Sequence, residues 1–360
     1  FREAISALAI PMFNIMYADR EGNIFYVYNA AVPRRSTEFN WKEPVDGSDP
    51  RTEWNGYHAL DELPQLLNPA SGFLQNCNQT PFATTAGDNP RPEDFPPYMV
   101  TEKDNPRGRI SRRLLARKEK FTMDSLSEAA FDTTVLVAEE MIPGIVRAWE
   151  LVRRSDQRLA KKLEGPVTEL KKWDRVARVD STAMTLFTLW AELGKFRLDP
   201  RKDPRGALRN LRRAATGLQW YFGTWQVPWG EINRLQRIPP GDDHRFNDSA
   251  PSLPIAGGPG WLGMVFNFYA RREDGQKRRY GVAGHSYVGI VSFGPEPETR
   301  SILVFGQNAD PASKHFFDQA GIYAQKKFKP ALFRREEIEK KSLRVYHPGE
   351  KTRGEEPAER

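Results

Sequence analysis

Serine and histidine stand next to each other once in this sequence, in the segment Gly284-His-Ser-Tyr. A histidine that deprotonates a serine is the central pair of many hydrolases. Neighbouring residues of a strand point to opposite faces, however, so His285 and Ser286 cannot meet as base and nucleophile there. His315 is expected to pack against Asp318 and Gln319 near a C-terminal helix. The sequence therefore offers no serine–histidine pair for catalysis at these positions.

A single cysteine and one conspicuous aspartate are the other candidates for chemistry. Cys77 is the only cysteine, which excludes an intrachain disulfide and any multi-cysteine zinc site. A thiol nucleophile at this position is conceivable but has no evident base, so packing is the expected role. Asp19 could be a catalytic acid or a metal ligand, but its place in a predicted hairpin favours a structural role in the turn.

Composition and charge limit the classes of function. With 39% hydrophobic residues, 360 residues are enough for a sizeable core in one large domain or two ordinary ones. The net charge of +7 is a small excess of 54 basic over 47 acidic residues, so nucleic acid is not the expected partner. Basic residues crowd between Arg107 and Lys120, but Leu114 and Phe121 interrupt them, which is typical of a solvated amphipathic helix. No apolar run approaches the ~20 residues that a membrane span needs.

The first third of the chain is predicted to combine a helix, a hairpin and a long packed loop. Apolar spacing from Phe1 predicts a short helix that ends at Pro11. Asn14–Asp19 and Ile24–Tyr28, joined by a turn at Gly22, predict two antiparallel strands. Residues 33–106 are rich in turn formers yet contain several aromatic side chains, which indicates an ordered functional loop region. The prediction for 1–106 is a set of sheet strands with a loop region that holds the site.

The rest of the chain is predicted to be helical first and then to return to a sheet. The periodicity of 107–225 predicts a helical subdomain. Residues 226–346 are predicted to form a strand and helix section, with strands at Met264–Phe268, Tyr287–Phe293 and Ile302–Phe305. A flexible tail is expected at 347–360. The expected class is α+β.

Several motifs resemble one family. Tyr17-Ala-Asp-Arg-Glu-Gly-Asn-Ile and Asn68-Pro-Ala-Ser-Gly-Phe-Leu-Gln-Asn-Cys-Asn are the most specific of them, followed by Arg107-Gly-Arg-Ile, Gly306-Gln-Asn and Lys314-His-Phe-Phe-Asp-Gln. On these segments the chain resembles the penicillin amidase family of N-terminal-nucleophile hydrolases, which includes penicillin acylases and acyl-homoserine-lactone acylases. The resemblance is dense at both ends and thin across the helical middle.

The resemblance implies a fold and a reaction. It implies the C-terminal part of the catalytic β-chain, as a fragment of the four-layer αββα sandwich with a helical subdomain. The implied reaction is hydrolysis of a linear amide by an N-terminal serine whose own α-amino group is the base. That serine is expected upstream, since Phe1 has no nucleophilic atom. The sequence does not begin with an initiator methionine, so the start of the gene product is also expected upstream. These residues alone are expected to be inactive. β-Lactams, acyl-homoserine lactones and related amides remain open as substrates.

The resemblance also implies site residues. Asn78 corresponds to the asparagine of the oxyanion hole, with Asn76 as the second choice. Arg107 corresponds to an arginine near the nucleophile, where a fixed cation lowers the pKa of the α-amino group, and Arg109 competes with it for the register. Phe73 and Asn76 are candidates for substrate binding, and the aromatic residues that could line an acyl pocket are Trp54, Phe73 and Phe82.

The expected partners follow from the same resemblance. They are a small acyl amide substrate and the upstream segment and α-chain of one precursor, with no nucleic acid and no membrane span. No cofactor or metal is expected within this chain, because the family's calcium site draws mainly on upstream residues; Asp88 is a weak candidate ligand. The expected location is periplasmic or secreted.

Two other functions fit the sequence. The chain could be a non-catalytic binding module or an inactive paralogue that kept the fold without its nucleophile. It could also bind a polyanion through the basic run from Arg107 to Lys120, in which case binding would fall steeply with salt.

Overall fold

The computed structural model describes residues 1–10, 12–117, 120–241, 245–345 and 347. Pro11, where the first helix was predicted to end, and residues 348–360 of the predicted tail lie outside them. Within the described residues the backbone forms ten α-helices and ten β-strands. The helices are α1 (Arg2–Ile5), α2 (Pro106–Leu115), α3 (Met123–Ala130), α4 (Leu136–Ser155), α5 (Gln157–Lys172), α6 (Thr182–Leu193), α7 (Pro204–Phe222), α8 (Trp229–Ile232), α9 (Ala320–Ala324) and α10 (Arg335–Lys341). The strands are β1 (Phe13–Ala18), β2 (Ile24–Asn29), β3 (Gln65–Leu67), β4 (Asn233–Leu235), β5 (Leu253–Pro254), β6 (Phe268–Arg271), β7 (Arg279–Gly284), β8 (Tyr287–Ser292), β9 (Glu298–Leu303) and β10 (Lys329–Pro330).

The predicted hairpin is confirmed. β1 and β2 pair antiparallel in a register that ends at Ala18 and Ile24, and β3 adds to the other edge of β2. The Asp19 carboxylate closes the turn by accepting from the Asn23 backbone N–H at 2.8 Å, and Gly22 has φ +88°. Hydrogen bonds, first from the Asn23 side chain, hold the pKa of Asp19 below its usual range. Asp19 therefore has the structural role in the turn that its setting favours.

The loop between β2 and α2 is packed. It contains β3 and four short 3₁₀ helices, at Pro50–Thr52, Leu60–Glu62, Pro81–Ala83 and Pro92–Asp94. Leu60, Leu63 and Met99 of this segment are buried against Phe25 and Val27 of the hairpin. The loop thus forms its own core with the first sheet.

Helices α4 to α7 surround the largest hydrophobic core. Its aromatic centre is Trp173, Phe187 and Trp190, whose rings lie in series with centroids 5.9 and 5.4 Å apart. The buried Trp190 indole N–H donates to the Ala207 carbonyl at 3.0 Å, which satisfies the polar atom of this core residue. The helical periodicity that begins at Arg107 is confirmed as far as α7.

The C-terminal part forms two sheets, in the orders β5-β4-β7-β6 and β10-β9-β8. The strand predicted at Tyr287–Phe293 corresponds to β8. The strand predicted at Ile302–Phe305 begins earlier, at Glu298, and ends at Leu303. The α+β class is confirmed, while the exact domain boundaries stay a prediction.

The strand predicted at Met264–Phe268 is wrong: β6 begins only at Phe268. Met264 and Phe266 are fully buried, so the apolar pattern reflected burial. The backbone hydrogen bonds of this segment do not follow one neighbouring strand, since Phe266 N–H donates to Asp132 and Phe268 N–H donates to Gly258. Likewise, α1 ends at Ile5 rather than continuing to Ile10, because Leu8 has a left-handed φ of +51°.

Leu170 and Leu151 allow a matched test of this core. Leu170 in α5 is 0% exposed and Leu151 in α4 is 55% exposed. We expect Leu170→Ala to lower the free energy of unfolding by about 2–5 kcal/mol, because it leaves a cavity among rigid neighbours. Leu151→Ala should change it by no more than about 0.5 kcal/mol. Urea unfolding followed by circular dichroism measures both, and equal effects would contradict the assignment of this core.

Candidate active site

The candidate site is centred on a tight loop at residues 76–79. Asn78 is exposed and has a left-handed backbone, with φ +59°. Asn76 stabilises this turn, because its Oδ1 accepts from the Asn78 backbone N–H at 2.8 Å. Gln79 is fully buried beneath the loop and accepts from the Cys77 backbone N–H. The loop is thus held from below while the Asn78 side chain faces outward.

Asn105 connects this loop to helix α2. Its Oδ1 caps the helix by accepting from Gly108 N–H at 2.9 Å, and Pro106 occupies the first helical position. Its Nδ2 donates to the carbonyls of Cys77 and Asn78, at 3.0 and 3.2 Å. One side chain therefore fixes both the start of α2 and the path of the Asn78 backbone.

Arg107 determines how the Asn78 amide is oriented. Its Nη2 lies 2.9 Å from Asn78 Oδ1. A guanidinium can only donate hydrogen bonds, so the oxygen of the amide must face Arg107. Asn78 Nδ2 makes no hydrogen bond to any of the described residues and points its N–H groups elsewhere. The pair presents a neutral, oriented donor at an exposed position.

The Arg107 side chain passes close to the backbone of Gly260. A Cβ added to Gly260 would stand 2.5 Å from Arg107 Cδ, 2.9 Å from its Nε and 3.1 Å from Asn267 Oδ1. Gly260 and Asn267 are both buried. The absence of a side chain at 260 therefore leaves the space through which the guanidinium reaches Asn78.

The remaining arginines of α2 form ion pairs and do not contact Asn78 among the described residues. Arg109 pairs with Glu140 and Arg113 with Glu139, both on α4, at 2.5 and 2.6 Å. Arg112 pairs with Asp104 at 2.6 Å. Of the two arginines that compete for the predicted register, the structure brings Arg107, and not Arg109, to Asn78.

Cys77 and His285 flank the site without forming a catalytic pair. Burial raises the pKa of the Cys77 thiol, which disfavours the reactive thiolate. His285 lies near Tyr323 Oη, at 3.4 Å, and packs on the Phe266 ring. Burial, with a smaller effect of the Arg107 charge, lowers the pKa of His285, which favours its neutral form.

Three aromatic residues, Trp54, Phe73 and Phe82, were predicted to line an acyl pocket. Among the ring contacts of the described residues, none joins two of them. Trp54 stands against Tyr57 and beneath the Arg35 guanidinium, and Phe82 packs on Phe95. Phe73 is half-buried, and its carbonyl accepts from Thr85 Oγ1 at 2.8 Å. Their role in substrate binding stays a prediction.

His315 forms a surface contact, with Nδ1 2.7 Å from Asp318 Oδ2. No side-chain hydrogen bond of the described residues joins His315 to Gln319. Gln319 Oε1 instead accepts from Leu303 N–H of β9. Among the described residues, no group of three or more His, Cys, Asp or Glu side chains could hold a metal ion.

Sequence reasoning missed Asn105, Gly260 and Gln79. Asn105 carried a usable signal, because asparagine followed by proline at the start of a helical pattern is typical of an N-cap. Gly260 and Gln79 carried none, since their roles depend on segments that are distant along the chain.

The model of the penicillin amidase family matches residues 1–340. The chain belongs to the penicillin amidase family. Among curated relatives, an acyl-homoserine lactone acylase PvdQ of Pseudomonas fluorescens is 26% identical over 91% of this chain and 45% of its own length. The penicillin G acylase of Escherichia coli is 28% identical over 48% of this chain and 19% of its own length. The chain spans about half the length of the PvdQ relatives that it matches.

A solved structure shows the same fold. The thermostable penicillin G acylase from Alcaligenes faecalis superposes with a TM-score of 0.58 and 16% identity, over 98% of this chain and 71% of that chain. This likeness confirms the predicted hydrolase fold of the penicillin amidase family. The likeness does not test the roles of Asn78 and Arg107, which stay predictions.

Two substitutions of Asn105 separate its two functions. Asn105→Ala removes the cap and both donors to the loop, so we expect a loss of about 1–2 kcal/mol in the free energy of unfolding. Asn105→Asp keeps the capping oxygen but replaces the donors with an acceptor that faces two carbonyls. In Asn105→Asp we expect the backbone amides at the start of α2 to stay protected from hydrogen exchange, whereas the backbone amide of Asn78 should exchange faster. If hydrogen-exchange protection of the loop is unchanged in both variants, Asn105 does not hold the loop and the helix start together.

Proposed function

We propose that the protein hydrolyses linear amides and that this chain supplies the group that stabilises negative charge in the transition state. One observation carries the proposal: Arg107 Nη2 donates a hydrogen bond to Asn78 Oδ1 at 2.9 Å, which leaves Nδ2 of this exposed residue as a donor. A donor fixed before the reaction stabilises a developing oxyanion without the cost of reorganising, about 3 kcal/mol for one side chain. The hydrogen bond from the guanidinium also polarises the amide, which strengthens its N–H groups as donors.

In the proposed reaction a serine at the N-terminus of a segment outside this chain attacks the amide carbonyl carbon. Its α-amino group takes the hydroxyl proton, and the carbonyl electrons move to the oxygen, to which Asn78 Nδ2 donates. The C–N bond then breaks, and the amine leaves with the proton. Water hydrolyses the resulting acyl ester, which releases a carboxylic acid and restores the serine.

The proposed substrate class is an acyl group joined to an amine by a linear amide. The names of the relatives support this class, since they are acylases of acyl-homoserine lactones and of penicillin G. The proposed partners are the upstream segment and the α-chain of the same precursor, and the proposed location is periplasmic or secreted. Within the part of the chain that the structure describes, no helix is long and apolar enough to span a bilayer.

The ion pairs of α2 argue against the polyanion alternative. Arg109, Arg112 and Arg113 each bind a carboxylate of this chain, at 2.5–2.6 Å. Arg107 is directed at Asn78. These four side chains therefore form no free cationic stripe along the helix.

Asn78→Ala tests the proposal. With an acyl p-nitroanilide as substrate, we expect the full-length protein to lose about 10²–10³-fold in kcat, with a smaller change in KM, because the lost hydrogen bond forms mainly in the transition state. Asn40→Ala, which changes an exposed loop asparagine, is the matched control and should retain full activity.

A folded Asn78→Ala protein with unchanged kcat would overturn the role of Asn78. The nucleophile is tested separately by mass mapping of the mature protein for a chain that begins with serine, threonine or cysteine. If no such end is found and no acyl amide is cleaved by the unsubstituted protein, the inactive binding module replaces the enzyme as the function.

Gly260→Ala tests the contribution of Arg107 without altering its charge. The new methyl group would meet Arg107 Cδ at 2.5 Å, so the guanidinium must move and release the Asn78 amide. We expect kcat to fall by about ten- to a hundredfold, as for other small misplacements of catalytic groups. Gly47→Ala, where an added Cβ meets no atom within 4 Å, is the control. Equal activity of the two variants would show that the orientation of Asn78 does not depend on this arginine.

A further inference from the structure

A cavity lies in the helical part of the molecule. It has a volume of about 400 Å³, which is within the range of small-molecule sites, roughly 300–1,000 Å³. Its apolar wall is formed by side chains of α6, α7 and α8, among them Leu189, Leu193, Leu218, Phe222 and Ile232. None of its lining residues belongs to the Asn78 site, so this cavity is a separate feature.

A buried guanidinium lines the same cavity. The Arg279 side chain on β7 is only 14% exposed. Its Nη2 donates to Glu192 at 2.5 Å and to the Ala270 carbonyl at 3.3 Å. Its Nη1 is buried and has no hydrogen-bond partner among the described residues. Buried donors without a partner are rare in native proteins, and a charged one is especially costly, so Glu192 and Ala270 satisfy this guanidinium only in part.

The electrostatics of the cavity favour an anion. Arg213, Arg272 and Lys277 line it together with Arg279, against a single carboxylate, Glu192. Two of these cations lie over aromatic rings, Arg272 over Tyr221 at 5.1 Å and Lys277 over Phe222 at 6.0 Å. Both cations are exposed, and the ring contacts keep them next to the apolar wall.

We propose that this cavity binds a carboxylate that carries a hydrocarbon chain. The carboxylate is attracted to the cations that line the cavity, Arg279 among them, and the chain lies against the leucines of α6 and α7. A single negative charge suits the site, because Glu192 already takes up part of the positive charge of Arg279. The inference does not depend on the proposed amide hydrolysis, since it uses none of the residues of the Asn78 site.

Gly217 provides a variant that fills the cavity. It lies in α7, it lines the cavity, and a Cβ built on it meets no atom within 4 Å. Leucine is a better helix former than glycine, so Gly217→Leu is expected to keep the helix while its side chain occupies the space for the hydrocarbon chain. Gly321→Leu is the matched control, because Gly321 is also helical with open space around its Cβ and does not line the cavity.

Calorimetric titration of the full-length protein with decanoate, decanol and butyrate tests the proposal. Decanoate should bind with one-to-one stoichiometry, and decanol and butyrate should each bind at least about tenfold more weakly, because one lacks the charge and the other lacks the chain. Gly217→Leu should abolish decanoate binding, whereas Gly321→Leu should not change it. Glu192→Gln should tighten binding several-fold, since it removes the carboxylate that competes for Arg279.

Other outcomes overturn the proposal. Equal affinity for decanol and decanoate would mean that the site is merely apolar. Decanoate binding that Gly217→Leu leaves intact, in a variant with the circular dichroism spectrum of the unsubstituted protein, would place the ligand elsewhere. Weaker binding by Glu192→Gln would show that Glu192 does not compete with the ligand carboxylate. Absence of any decanoate binding would end the proposal directly.

Discussion

The geometry of the candidate site depends on one amide side chain, that of Asn105. Its oxygen accepts from the first turn of α2 and its nitrogen donates to two consecutive carbonyls of the Asn78 loop. Because both groups belong to the same planar amide, the helix start and the loop cannot move independently. Arg107 is the second residue of that helix, so its direction toward Asn78 follows from the same constraint.

Helix α2 is held from its other side by the helical core. Ile110 and Leu114 are buried against Leu136 of α4, and two arginine–glutamate pairs join the same helices. Exposed ion pairs contribute little to stability, typically 0–1 kcal/mol, so apolar contact provides most of the attachment and the charges select its register. The helical part of the chain thereby acts as a rigid support for an arginine that reaches into a loop.

Local signals predicted the parts of the fold that depend on local interactions. The hairpin follows from Asp19, Gly22 and Asn23, and the helices follow from their apolar spacing. The strand predicted at Met264–Phe268 failed because burial alone gave the pattern, while the backbone pairs with two unrelated segments. At the site, family resemblance singled out Asn78 and Arg107, whose roles stay predictions. The hydrogen bond between them and the space at Gly260 are long-range facts. No sequence pattern encodes such contacts, so only the fold reveals them.

The residue type at position 78 satisfies two demands that few side chains meet together. A backbone with φ +59° strongly favours glycine, asparagine or aspartate. Glycine has no donor, and aspartate would place a negative charge where an oxyanion is proposed to form, while pairing with Arg107. Asparagine alone combines tolerance of the left-handed backbone with a neutral donor whose oxygen can be held by a cation. The strained turn and the oriented amide are thus two consequences of a single choice of residue, and the contacts of Asn76, Gln79 and Asn105 maintain both.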